Sequence, residues 1–150
     1  MARDADFTAA DVRTYAWDPA GNVMLGVIRE HRATLHAAVI ETTDAALAER
    51  GWVAADAEAA DVWLRYAVGA EDRYEVTQTG TMRIANEVVV VPVKSRHTRD
   101  GELAIDVLDP ATRGVLWRGI GAGSGRGVPT SEEVDRRVRR GVTRILEALP

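Results

Sequence analysis

GELAIDVLDPATRGVLWRGI, residues 101–120, is the stretch on which the reading of the fold turns. Two β-rich runs, Glu102 to Leu108 and Val115 to Ile120, flank Asp109-Pro110-Ala111-Thr112-Arg113-Gly114. Proline presets φ for a turn, and Asp and Gly accept conformations that a strand does not, so the six residues between the runs predict a reversal and the whole stretch a hairpin. If Ile105, Val107, Val115 and Trp117 share the core face, Asp106 and Arg118 point away from it. An antiparallel register in which they face each other lets them pair across the strands, an interaction of about 0.2–1 kcal/mol.

Downstream, Gly119-Ile120-Gly121-Ala122-Gly123-Ser124-Gly125-Arg126-Gly127 places glycine at every second residue. One reading is a strand with one face bare of side chains, which lets a helix approach closely, running into a loop. The other is an anion cradle made by the loop amides and the following helix, although neither G-x-G-x-x-G nor a P-loop is present. The final element opens at Pro129-Thr130-Ser131-Glu132-Glu133, where Thr130 and Glu133 have capping-box spacing. Val134, Val138, Val142, Ile145, Leu146 and Leu149 then recur at helical spacing and predict a C-terminal helix.

Upstream, Asp61 to Gly69 sets Val62, Leu64, Tyr66 and Val68 against Trp63, Arg65 and Ala67, the period of a strand. Between it and the hairpin the pattern breaks up. Tyr74 to Thr77 and Thr81 to Ile84 look like short β segments, and Glu87 to Val93 is a β-rich run interrupted by Pro92, which predicts an edge strand because proline donates nothing to a ladder. Four consecutive valines, Val88 to Val91, cannot all face one core. Val89 and Val91 are therefore the candidate residues of a strand-edge interface, against the alternative of an internal strand covered on both faces. Nearer the start, Val12 to Trp17 alternates as a strand and ends at Asp18-Pro19-Ala20-Gly21. From Val23 to Arg50 there is no proline, and Ile28, Leu35, Val39 and Leu47 mark an amphipathic helix whose first turns are open and whose end is Gly51 in the left-handed C′ position.

These elements predict an α+β fold, an antiparallel sheet of about five or six strands with two helices packed on one face, in the order β-α-β-β-β-β-α. The 150 residues suit a single domain over 1–150, with 1–11 as a poorly ordered N-terminal tail. Trp17, Trp63 and Trp117 are expected to be structural, Trp117 buried between sheet and helix.

Composition excludes more chemistry than it suggests. There is no cysteine, hence no disulfide, thiolate nucleophile, thiolate metal site or lipid-bearing N-terminal cysteine in these residues. No purely apolar run is longer than the four residues of Val88 to Val91, far short of the roughly 20 residues of a membrane-spanning helix. Met1 to Thr8 has no apolar stretch of the signal-peptide kind, which leaves a cytoplasmic protein or one that begins after a removed leader. A net charge of −4 gives no general attraction to nucleic acid. His31 and His36 are five apart and His97 is distant, so no ligand-spaced metal motif exists, and Ser95, Ser124 and Ser131 stand in no nucleophile elbow. No catalytic residue, metal or cofactor is expected. The basic residues Arg136, Arg137, Arg139, Arg140 and Arg144 encircle the polar face of the last helix. With Arg126, the residues Arg136, Arg137 and Arg140 are candidates for contact with an anion or an acidic partner, against the plainer reading of a solvated face that complements the helix dipole.

Four segments in this order carry a resemblance: Thr14-Tyr15-Ala16-Trp17; Leu47-Ala48-Glu49-Arg50-Gly51-Trp52; Ala60-Asp61-Val62-Trp63-Leu64; and the hairpin of residues 101–109 with Val115-Leu116-Trp117-Arg118-Gly119. Together they resemble the bacterial family called domain of unknown function 4136, over nearly the whole chain. Members of that family are typically small envelope proteins, many of them lipoproteins. The resemblance supplies no catalytic residue. It departs in lacking the leader and lipid-bearing cysteine, and in being valine-rich from Gln78 to His97 where members are often rich in Gly and Tyr.

The resemblance implies a non-enzymatic accessory domain of the cell envelope, periplasmic or associated with the outer membrane. Its expected partner is another protein or a second copy, met through a strand edge; nucleic acid is not expected, and membrane contact would run only through a lipid anchor that these residues lack. The alternative is a small-molecule or anion-binding domain, conceivably an enzyme, built on the Gly119–Gly127 segment.

Overall fold

The structure, a computed structural model, describes residues 2–3 and 7–150. Its strands are β1 (Ala2–Arg3), β2 (Thr14–Trp17), β3 (Val23–Leu25), β4 (Val53–Ala54), β5 (Val62–Ile84), β6 (Glu87–Leu108) and β7 (Val115–Arg126), and its helices are α1 (Arg32–Glu49) and α2 (Ser131–Glu147). The strands form one sheet in the order β1-β7-β6-β5-β2-β4, with β3 also paired to β5. The fold is α+β as expected, and the helices lie together on one face.

The pairing is antiparallel from β1 through β5 and parallel where β2 and β3 meet β5. Parallel neighbours need a crossover, and α1 supplies it between β2 and β5. The helix expected somewhere after Val23 begins only at Arg32, because Val23 to Leu25 is used as β3. At its other end Gly51 has φ +83°, its amide donates to Ala48, and the Trp52 amide donates to Leu47. Those two bonds are a Schellman motif, which only a residue at ease in the left-handed region closes without strain.

Of the N-terminal stretch expected as a tail, residues 1 and 4–6 lie outside the described residues. Ala2–Arg3 pairs with Arg118 and Trp117 of β7, and Ala9–Asp11 forms a 3-10 turn with Ala9 buried, because an alanine there completes the apolar layer.

The core lies between the helices and the sheet. Leu35, Val39 and Leu47 of α1 and Val142, Ile145 and Leu146 of α2 meet Leu64 and Tyr66 of β5, Ile105 and Val107 of β6, and Trp117 of β7. Trp117 is 2% exposed and Trp52 is buried in the same cluster, against Tyr15 of β2, whereas Trp17 and Trp63 are half-buried. Val115 does not share that face with Ile105, Val107 and Trp117; it is exposed, since the register slips by one residue between Val107 and Leu108.

Glycine in β7 sets how close α2 can come. A Cβ on Gly119 would stand 2.5 Å from Ile145 Cγ2, and one on Gly121 would stand 3.2 Å from Ile145 Cδ1. The alternating glycines are therefore a bare strand face on which α2 rests, the first of the two readings drawn from their spacing. The stretch remains strand to Arg126, and only Gly127, with φ +65°, turns the chain toward the helix. Thr130 caps α2 by accepting the Glu133 amide at 3.2 Å.

Candidate functional site

The fragments between Tyr74 and Val93 are parts of two continuous strands. β5 runs 23 residues and β6 runs 22, paired from Trp63–Leu108 to Ile84–Glu87. Both exceed the usual length of about 5–6 residues. Register slips between Val76 and Gln78 and between Gln78 and Thr79 absorb the local interruptions at Gly80 and Pro92. At the tip Ala85 and Asn86 both have positive φ, +50° and +66°, the geometry of a type I′ turn whose twist suits a two-residue hairpin.

β7 accompanies β6 only as far as the Thr98–Arg126 pair. From Tyr74–His97 to the turn the two strands have only each other as ladder partners among the described residues, and at about 3.3 Å per residue they form an arm about 35 Å long. Both of its edges expose unpaired backbone groups. Tyr74, Val76, Met82, Ile84, Val88, Val90 and Val93 are all at least half exposed along it. An arm of this kind has the geometry for β-augmentation, since an incoming strand gains main-chain hydrogen bonds on either edge and alternate apolar side chains for selectivity.

Val89 and Val91 sit in this arm, opposite Met82 and Gly80. They are half-buried, while Val88 and Val90 on the other face are 64% and 72% exposed. Alternation showed that two of the four valines look outward, but which two depends on the position of the bulges, which local pattern does not register.

At the arm's base, His97 Nε2 lies 2.9 Å from Asp72 Oδ1, Arg99 donates to the same oxygen at 2.9 Å and to the Gly26 carbonyl, and Tyr74 stacks on His97 with centroids 4.6 Å apart. Hydrogen bonds from His97 and then Arg99 hold the Asp72 carboxyl below the usual carboxylate range.

The predicted basic residues separate. Arg137 and Arg140 line a cleft between α2 and the sheet, joined there by Arg144 of the same basic helix face and by Arg99, which the sequence did not single out for that role. Arg126 is exposed at the end of β7 and Arg136 is exposed on α2; neither lines the cleft. Arg139 is committed to Glu41 at 2.7 Å and Asp135 at 2.9 Å. The histidines lie apart and are bound to different partners: His31 to Ser131 Oγ at 3.1 Å, His36 to the Tyr66 hydroxyl at 2.7 Å, and His97 to Asp72. Among the described residues no group of three or more His, Asp or Glu is placed to hold a metal ion. No helix among the described residues is long and apolar enough to cross a membrane.

The segments that carried the resemblance have structural work. Tyr15 and Trp17 both donate to Asp44 Oδ1 of α1, at 2.8 and 3.1 Å, fastening β2 to the helix. Burial and then the hydrogen bond to Asp44 push the Tyr15 hydroxyl well above its ordinary pKa. Asp61 accepts the Arg13 and Thr14 amides at 2.9 and 3.0 Å, which aligns the starts of β2 and β5 and holds its carboxyl low. Arg113 Nη2 donates to both carboxylate oxygens of buried Asp18, at 3.0 Å to Oδ1 and 2.8 Å to Oδ2, and Arg113 also stands 5.4 Å over the Trp63 ring.

Fold and site together define an α+β domain, two helices over one face of a hairpin-dominated sheet, with an extended arm and a cleft beside it. The chain belongs to the family described as Domain of unknown function (DUF4136), which it matches over residues 1–150. No curated protein sequence is significantly similar to it. Among solved structures, a neuraminyllactose-binding hemagglutinin homolog from Helicobacter pylori is similar at TM-score 0.59 and 11% identity, covering 94% of this chain and 84% of that one. The PelC dodecamer from Paraburkholderia phytofirmans is similar at TM-score 0.50 and 14% identity, covering 95% and 90%. Lipoprotein GNA1162 from Neisseria meningitidis gives TM-score 0.45 at 12% identity, over 91% and 99%. At these identities the likeness is one of fold.

Proposed function

We propose that this chain is a non-enzymatic accessory domain of the bacterial cell envelope that works by binding protein along its β arm, a second copy of the chain being the first partner. One observation carries the reading: two strands continue about 35 Å past the rest of the sheet with both edges unpaired and with large apolar side chains on both faces. Sheet edges left in this state in natural proteins are normally blunted unless they are used. Charge supports a second copy as partner. The arm from Arg73 to His97 bears four basic and two acidic side chains on a chain whose net charge is −4, so the arm of one copy is complementary to the body of another. A dodecamer is on record for the structural relative PelC, and membership in this family supports the envelope.

The test is the mass of the purified chain in solution, by light scattering and sedimentation, for the parent, for Val89→Lys and Val91→Glu, and for a chain in which Asn-Gly replaces residues 77–94. The expected result is an oligomer that the short-arm chain loses while melting within a few degrees of the parent, because the arm contributes nothing to the core cluster. A parent that is monomeric at every accessible concentration overturns self-association. Fractionation of cells carrying the tagged full-length gene product tests the compartment.

A further inference from the structure

Where the arm leaves the body, the side of the sheet that faces the helices is almost without side chains. Strand alternation and register set Val68, Leu103 and Gly121 in one row toward the helices, Ala70, Gly101 and Gly123 in the next, and Asp72, Arg99 and Gly125 in the row after. The middle row offers one methyl group across three strands. The helices do not fill it. A Cβ added at Gly123 would meet nothing within 4 Å, and one at Gly101 would meet only the Gly69 carbonyl oxygen, at 3.7 Å. Gly119 and Gly121 in the same strand are pressed by Ile145, so the glycine repeat serves close packing at one end and opens a space at the other.

That space is a cleft of about 670 Å³, within the range of small-molecule sites. Val27 and Leu35, from the segment before α1 and its first turn, line one wall, and Val134 and Val138 of α2 line the other. The mouth is basic. Arg137, Arg140 and Arg144 line it, and the latter two have no ion-pair partner among the described residues. Asp100 and Glu102 flank Gly101 in β6 and by alternation point to the opposite face of the sheet, while Asp72 is taken by Arg99 and His97.

We propose that this cleft binds a single-chain amphiphile, an aliphatic tail bearing a carboxylate or phosphate head group. A floor of glycine and alanine between valine walls admits a slender apolar chain and gives a polar one no partner. Guanidinium groups at the mouth bind a planar carboxylate or a phosphate through paired N–H donors. The site is independent of the arm's free edges, so its test and that of protein binding fail separately.

The probes are dodecanoate and dodecyl phosphate below their micellar concentrations, titrated calorimetrically into the purified full chain, with inorganic phosphate and dodecyltrimethylammonium as comparisons. Saturable one-to-one binding of both anionic amphiphiles is expected, and neither comparison should bind. Gly123→Leu sets its Cβ in open space on the floor and should weaken binding at least about tenfold at unchanged melting temperature. Arg140→Glu with Arg144→Glu, both on the exposed face of α2, should weaken it by about tenfold or more. The proposal is overturned by the absence of saturable binding, by equal binding of the cationic amphiphile, by inorganic phosphate binding as tightly, or by a folded Gly123→Leu chain that binds like the parent. Binding to anionic phospholipid vesicles without binding to monomeric dodecyl phosphate also overturns it, since that places the interaction on the surface.

Discussion

Arg118 Nε donates to Asp106 Oδ1 at 2.6 Å across the β6–β7 ladder, and Arg65 on the other neighbouring strand donates to Asp106 Oδ2 at 2.7 Å. One carboxylate, 4% exposed, is thus held between two guanidinium groups on the sheet face opposite the helices. Burial works to raise its pKa, but the hydrogen bonds from Arg118 and Arg65 outweigh it and hold Asp106 below the usual carboxylate range.

Asp106→Asn is expected to cost about 2 kcal/mol, less than a fully buried pair would, because both arginines reach water and can rehydrate. The pH dependence has a definite sign. A folded pKa below the unfolded value near 3.9 means the stabilisation is fully present above about pH 4 and is lost as pH falls through the folded value. Urea denaturation of parent and variant between pH 7 and pH 2 should show the gap between them closing as pH falls. A constant gap refutes the ionic account.

Gly119 and Gly123 should respond oppositely to an added side chain. Gly119→Val forces a branched Cβ against Ile145 and the Trp117 ring, each 2.5 Å from the new carbon, and is expected to cost about 1–3 kcal/mol. The Cβ of Gly123→Val meets nothing within 4 Å, and the variant should hold or slightly raise stability, since glycine is a poor strand former. Thermal melts of the two variants check this, and equal losses would contradict the packing of α2 on β7.

Trp117 fills the centre of the core beside Ile145 and Val107. Trp117→Ala should cost about 3–5 kcal/mol by chemical denaturation, because the helices cannot collapse into a space of that size. A variant that melts like the parent removes this residue from the core.

Ala85 carries a left-handed backbone without the glycine or asparagine that tolerates it, a strain of about 1 kcal/mol. Ala85→Asn should slow amide exchange in the arm and leave the global melting temperature unchanged, because the arm opens without the core. Slower exchange spread over α1 and β7 as well would show the arm to be part of the cooperative unit.

Much of this architecture was legible one residue at a time. The Asp109-Pro110 to Gly114 reversal, the Thr130 cap, the Gly51 stop and the partnership of Asp106 with Arg118 each depend on chemistry within a few residues or on strict alternation, and these signals survive in a linear sequence. The glycines of β7 declared a bare face in the same way. The sequence could also exclude a cysteine site and a ligand-spaced histidine cluster, since those need residue types and spacings that are absent.

Tertiary structure alone decided the rest. The arm was hidden because its two strands are broken locally by Gly80 and Pro92 and are held continuous by 20-odd residues of cross-strand pairing, a long-range property. Which valines are exposed follows from bulges whose position that pairing sets. The cleft beneath α2 has a related cause. Gly123 belongs to the glycine alternation visible in the sequence, but Ala70 and Gly101 carry no such signal, and only the register of three strands aligns the three into one bare row under the arginines of a helix.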